Sequence, residues 1–181
     1  MATGTLLGIS GSLREGSYNR KLIREAARLY DPAQFIEADL RLPLYDGDLE
    51  DAEGIPAEVL TLADQIAAAD AVVISGPEYN KGLSGVLKNA LDWVSRTKGG
   101  PWRDKPVAIM AATGGRAGGE RTQWTLRLCL TPFRPRLLAG PEVLIGSTAD
   151  QFDEAGRLVN ARYLAALQEL MAELRKEVGR E

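Results

Sequence analysis

The chain contains no histidine, which removes together the Ser-His-Asp triad, Cys-His pairs, imidazole metal sites and the side chain that most often carries protons near neutral pH. Its chemistry must proceed without imidazole. The single cysteine, Cys129, can neither close an internal disulfide nor build a thiolate metal cluster, so packing alone must hold the fold and a reducing, cytoplasmic setting is expected. Basic residues are not in excess: 22 Lys and Arg stand against 25 Asp and Glu, a net charge of −3. That balance argues against a dedicated nucleic-acid binder and leaves small anions as ligands. No apolar run approaches the ~18 residues that cross a bilayer, and no basic segment followed by an apolar core opens the chain, so no membrane association is expected. Repeats, low-complexity tracts and linkers are also missing, and 181 residues fit one domain, 1–181.

What is present is an alternation of short apolar runs and periodic helices. Thr5 to Ile9 reads as a strand that enters a small, polar loop, Ser10 to Ser17. Tyr18, Leu22, Ile23, Ala26, Ala27 and Tyr30 then fall on one helical stripe, which Asp31-Pro32 ends. Further strands are predicted at Phe35 to Ala38, Ala71 to Ser75, Val107 to Ala112 and Glu142 to Ile145. Helices are predicted around Glu58 to Ala69, Leu83 to Val94, Glu120 to Leu130 and Tyr163 to Leu174. Five strands alternating with helices imply an α/β fold, a three-layer sandwich about a parallel sheet, because parallel neighbours need right-handed crossovers.

In such sheets ligands gather beyond the carboxyl ends of the strands where strand order reverses, which singles out the loops after the first, third and fourth strands. The first offers the hydroxyls of Ser10, Ser12 and Ser17, the amide of Asn19, the guanidinium of Arg14 and the N–H groups of a helix start. That is equipment for a phosphate monoester; the plainer alternative is a βα turn rich in small residues. Competing phosphate motifs fail. Gly11 and Gly16 have the Walker A separation, but Ser17-Tyr18 stands where Lys-Ser/Thr belongs, and Gly8 and Gly11 do not continue into a dinucleotide fingerprint. Cys129 and Arg134 miss the phosphatase-loop spacing by one residue. The second loop carries Pro77, Glu78, Tyr79 and Asn80 beside Gly82 and Gly85, a set able to lie against a planar heterocycle, or simply a turn into a helix capped by Ser84. The third, Thr113-Gly114-Gly115-Arg116-Ala117-Gly118-Gly119, presents backbone amides and one cation, Arg116, suited either to the phosphate of an anionic cosubstrate or to solvent.

Three segments in order, Gly11-Ser-Leu-Arg-Glu-Gly-Ser-Tyr-Asn-Arg20, Pro77-Glu-Tyr-Asn80 with Leu87-Lys-Asn-Ala-Leu-Asp-Trp93, and Thr113-Gly-Gly-Arg116, resemble the NADPH-dependent FMN reductase family of flavodoxin-like proteins. The resemblance spans nearly the whole chain. It implies a flavodoxin-like sheet in the order 2-1-3-4-5, FMN as cofactor, and NADPH or NADH as cosubstrate. The implied acceptor is a flavin, quinone, azo compound or metal oxyanion such as chromate, and the implied assembly a homodimer or homotetramer. Carried over by motif, Ser10, Ser12, Arg14, Ser17 and Asn19 surround the FMN phosphate and its approach. Pro77, Glu78, Tyr79 and Asn80 border the ribityl chain and isoalloxazine, and Thr113, Gly114 and Gly115 the other edge of the ring, with Arg116 closing that third motif. No side chain is implied as a nucleophile, because a flavin performs hydride transfer itself. The second motif departs from the common family form, with Gly82 in place of a serine and Ser84 in place of a proline. A flavodoxin-type electron carrier and an FMN-binding regulatory module are the alternatives.

The remaining conspicuous residues read modestly. Leu91, Trp93 and Val94 are expected in the core or a subunit interface, Cys129 as an inert buried thiol, Asp46 to Glu53 as a solvated loop and Lys81 as an exposed lysine.

Overall fold

Runs that are apolar on both faces, and too short for helices, become the strands of one parallel sheet. The computed structural model describes residues 4–179, so residues 1–3 and 180–181 of the expected domain lie outside the described range. In chain order the elements are β1 (Thr5–Ser10), α1 (Tyr18–Tyr30), β2 (Gln34–Glu37), α2 (Gly47–Glu53), α3 (Ala57–Ala68), β3 (Ala71–Gly76), α4 (Gly85–Val94), β4 (Pro106–Ala112), α5 (Glu120–Leu130), β5 (Arg136–Leu137), β6 (Val143–Ile145) and α6 (Ala161–Val178). Every residue of β3 and β4 is buried, as strands covered on both faces require.

The sheet order is β2-β1-β3-β4, with β5 and β6 both on the outer edge of β4 and all pairs parallel. This is the expected order with one refinement. The sequence predicts a single fifth strand at Glu142 to Ile145, whereas two short strands share that lane: Arg136 and Leu137 lie beside Pro106 and Val107, Val143 to Ile145 beside Met110 to Ala112. Pro141 has no N–H to offer a ladder, and the chain leaves the edge between the two.

Two cores fill the sandwich. On one face α1 and α6 pack Leu22, Ile23, Leu167 and Leu170 against Val73, Ala108 and Met110. On the other, α3, α4 and α5 pack Leu62, Ile66, Leu87, Leu91 and Leu126 against Val72, Ile74 and Ile109. Each fully buried aliphatic side chain contributes roughly 1.5–3 kcal/mol. Leu91, Trp93 and Val94 belong to the interior, at 5%, 0% and 2% exposure.

Two expectations need correction. Asp46 to Glu53 is not a loop: Gly47–Glu53 is helical, started by the Asp46 carboxylate accepting from the Asp48 N–H at 3.0 Å. Apolar periodicity is blind to it because none of its residues is buried; a cap and the Glu50–Arg96 ion pair at 2.9 Å hold it instead. Cys129 is half-buried rather than enclosed, since it lies toward the exposed side of α5, which also carries Trp124 and Leu128.

Candidate functional site

Because the strands run parallel, the connections leaving β1, β3 and β4 emerge at one edge of the sheet. From β1 the chain passes outward to β2, then returns across to β3, and a crevice opens at this reversal. There Ser12, Arg14, Ser17, Asn19, Pro77, Glu78, Tyr79, Thr113 and Gly114 line one cleft of about 380 Å³. Ser10, Asn80, Gly115 and Arg116 are not among its lining residues. Gly16, Tyr18, Ala112 and Thr148 complete the wall. Sequence reading placed Tyr18 on the buried helical stripe, and no local signal marks Thr148, which reaches the cleft because β6 pairs with β4 and the Thr148 N–H donates to the Thr113 carbonyl at 3.4 Å.

The first connection is shaped by its own hydroxyls. The Ser10 and Ser12 segment folds on itself, the Ser12 N–H donating to Ser10 Oγ at 3.3 Å. Ser17 caps α1, its Oγ accepting from the Asn19 N–H at 3.2 Å. Between them, no described group accepts from the backbone N–H of residues 13 to 16 or of Tyr18, and the exposed Arg14 guanidinium has no carboxylate or carbonyl partner. A cation beside unspent amides at a helix start is an arrangement chemically suited to an anion.

Asn19 sits at the floor. Its Oδ1 accepts from Ser75 Oγ at 2.8 Å and from the Ala112 N–H at 3.0 Å, and its Nδ2 donates to the Ala112 carbonyl at 2.9 Å. The start of α1 is thus tied to the ends of β3 and β4. Gly11 passes so close to α4 that a Cβ there would lie 2.6 Å from Leu87 Cδ1. Ser84 both caps α4, accepting from the Leu87 N–H at 3.4 Å, and donates to the Gly11 carbonyl at 2.8 Å. The departure from the family's proline at this position therefore has a use: a buried hydroxyl joins the first connection to the second.

The second connection is a miniature hairpin. Tyr79 and Gly82 exchange backbone hydrogen bonds, both at 3.1 Å, around Asn80 and Lys81 with φ of 50° and 66°, the type I′ geometry in which two positive φ angles are obligatory. Asn80 is thereby a turn residue. Glu78 reaches across to α5, whose Gly119 start supplies no side-chain cap. Its carboxylate accepts from the Arg121 N–H at 3.1 Å and pairs with the Arg121 guanidinium at 3.3 Å, a negative charge on a helix N-terminus.

The third connection is anchored by close approach. Gly118, at φ 67°, would place a Cβ 2.5 Å from the Leu144 backbone, and the Ser147 N–H donates to the Gly115 carbonyl at 3.3 Å. The Gly115 N–H is taken by Thr113 Oγ1 at 3.2 Å, while Gly114 has open space around it. The Leu87-to-Trp93 segment supports the site from behind: Trp93 Nε1 and Asn89 Nδ2 both donate to the Pro43 carbonyl, at 2.8 and 2.9 Å, and fasten the connection after β2 onto α4.

Comparison with known proteins places this cleft in context. The family model for NADPH-dependent FMN reductases matches residues 5–150. An NAD(P)H-dependent FMN reductase of Pseudomonas aeruginosa is 44% identical over 177 residues, covering 97% of this chain and 95% of that protein. A quinone reductase of Escherichia coli K12 is 38% identical over 154 residues, covering 83% of this chain and 82% of its own length. Among solved structures FerB, a flavoenzyme NAD(P)H:(acceptor) oxidoreductase from Paracoccus denitrificans, superimposes with a TM-score of 0.87 at 29% identity, covering 98% of both chains.

Proposed function

The chain belongs to the NADPH-dependent FMN reductase family, and from that premise we propose that the cleft holds FMN and that the protein uses NAD(P)H to reduce a small acceptor, a quinone foremost. One observation carries the reading: the three connections that hold the family's motifs meet in one cleft, whose β1 end keeps an unpaired guanidinium and unspent amides. A terminal phosphate needs those donors. Arg14, the Ser12 hydroxyl and the N–H groups of residues 13 to 16 and of Tyr18 hold the phosphate. Ser10, Ser17 and Asn19 shape that end, since turn, cap and strand ties already engage their polar atoms. Pro77 to Tyr79 and Thr113 to Gly115 border the ring, and Asn80 sets the turn behind Tyr79.

When bound, FMN would supply the two-electron redox chemistry between NAD(P)H and the acceptor. The chain binds the cofactor, orients it and leaves one face open. The Gly114 N–H, which no described group accepts and which borders the cleft, would be free to donate to the ring of bound FMN. The Escherichia coli relative's name favours a quinone, with flavins, azo compounds and chromate as further acceptors. The chain acts as one domain and as a homodimer or homotetramer, a reading supported by Trp124 and Leu128, four residues apart on α5 and 61% and 72% exposed. Among the described residues no helix is long and apolar enough to cross a membrane, and the free Cys129 suits a reducing cytoplasm.

The test is direct. Purified protein titrated with FMN is expected to become yellow and, mixed rapidly with NADPH, to bleach and then recover its colour on adding a quinone. Full FMN occupancy without nicotinamide oxidation by any quinone, flavin, azo dye or chromate would reject the enzymatic reading.

A further inference from the structure

Between β6 and α6 the chain forms a second hairpin, over residues 151–159. Phe152 and Leu158 bridge as antiparallel partners, and the Val159 N–H donates to the Gln151 carbonyl at 3.0 Å. At the tip the Asp153 N–H donates to the Arg157 carbonyl at 3.0 Å, and the Asp153 carboxylate accepts from the Arg157 N–H at 2.7 Å. Phe152 and Leu158 are both buried, so the hairpin is packed into the body of the molecule. It lies outside the stretch that the family model matches, which ends at residue 150.

Its seat is one face of α1. Tyr18, Lys21 and Glu25 stand at i, i+3 and i+7 on that helix, each about one turn from the next, and the hairpin meets all three. The Phe152 ring centroid is 5.5 Å from that of Tyr18. A Cβ on Gly156 would lie 3.5 Å from Lys21 Cγ. Arg157 Nη1 donates to Glu25 Oε2 at 3.4 Å. The Glu25 side chain is only 2% exposed, and a carboxylate so buried needs a cation. Arg28 of the same helix already supplies one, with bonds of 2.8 and 2.9 Å. Arg157, its side chain 53% exposed, is therefore not required to keep Glu25 ionised; what it adds is a link between two segments 132 residues apart.

Both ends of this contact reach the cleft. Tyr18 lines it, and so does Thr148, just upstream of the hairpin, whose N–H donates to the Thr113 carbonyl at 3.4 Å. One continuous stretch of chain, 148–157, thus joins the wall built by the third connection to the wall built by the first. It does so beside the helix start whose N–H groups are assigned above to the flavin phosphate. Asn19 ties that start down onto the strands through Ala112, and the hairpin closes it from the side. We infer that the hairpin positions the Tyr18 end of α1 for the flavin phosphate, and that Arg157, acting through Glu25, is the positioning residue that fastens it there. The inference rests on the flavin reading above.

The experiment compares the full-length wild type with Arg157→Ala and the charge-keeping Arg157→Lys by two measurements. In the protein without flavin, hydrogen exchange at the amides of residues 21 to 25 of α1 should be roughly two- to fivefold faster in Arg157→Ala. In fluorescence titrations the same variant should bind FMN about fivefold more weakly, and riboflavin, which has no phosphate, less than about twofold more weakly. Arg157→Lys should restore most of both effects. A residue that served stability alone would weaken the two flavins alike. Equal losses for FMN and riboflavin, unchanged FMN affinity, or unchanged exchange in α1 would each overturn the positioning role while leaving the flavin reading intact. Wild-type protein that takes up no FMN would remove both.

Discussion

Arg14 and Asn19 stand five positions apart in the first motif, yet the fold gives them opposite work. Arg14 is exposed and unpaired, and a charge-assisted bond from it to a phosphate implies that Arg14→Ala weakens FMN binding about 10- to 100-fold in a fluorescence titration. Unchanged affinity would mean that the phosphate lies elsewhere. Asn19 is 3% exposed and serves the Ser75 hydroxyl and both backbone groups of Ala112. Asn19→Leu strands those groups without solvent, at a cost of about 1–3 kcal/mol for each one left unpaired. The variant's urea midpoint should therefore fall sharply even in the absence of FMN, whereas Arg14→Ala should leave that midpoint nearly where it was. A sequence motif shows residue types at a spacing; it does not show which polar atoms the strands have already claimed.

At the scale of elements, the site depends on helix ends being closed by residues from other elements. Glu78 closes the start of α5 from the β3 connection. Replacing it with Ala should cost about 0.5–2 kcal/mol as a lost cap, with Gln recovering part of that because an amide oxygen still accepts from the Arg121 N–H. A Gln variant no more stable than Ala would assign the effect to charge alone. Lys105 closes the end of α3, its Nζ donating to the carbonyls of Ala67 and Ala69. Burial pushes its pKa below the ordinary lysine range, with the Asp70 carboxylate pulling the other way. In the window between the lowered native value and the unfolded one, the unfolded chain holds more protons, so this group makes stability rise with pH. The stability difference between wild type and Lys105→Met should accordingly move in favour of the wild type as the pH rises toward the ordinary lysine value of 10.5. A flat or falling difference would contradict the lowered pKa.

For the whole molecule, the cleft is a seam among three connections, and a ligand that bridges them stabilises the native state by mass action. At FMN about 100-fold above its Kd the gain is roughly 2.7 kcal/mol, which for a chain of this size raises Tm by about 5–10 °C. Riboflavin, which lacks the phosphate, should give a much smaller shift if the β1 end is the anion receptor. Equal shifts for the two would place the affinity in the ring contacts alone.

Read alone, the sequence determined the layered α/β fold and the three connections worth searching, because buried parallel strands and amphipathic helices leave strong periodic signatures and the motifs lie in short local windows; the order of the central strands came from the family resemblance those motifs carry. It did not reveal α2, whose residues bury nothing, or the division of the fifth lane between β5 and β6. Nor did it separate Arg14 and Ser12, whose side chains no described group engages, from Ser17 and Asn19, whose polar atoms the cap and strand ties already use, or bring Thr148 to the wall of the cleft. Those outcomes turn on hydrogen bonds and close contacts between segments far apart in the chain: Asn19 with Ala112, Ser84 with Gly11, Glu78 with Arg121, Gly118 with Leu144. Periodicity reports which face of an element is apolar, and only packing the elements together decides which polar atom meets which.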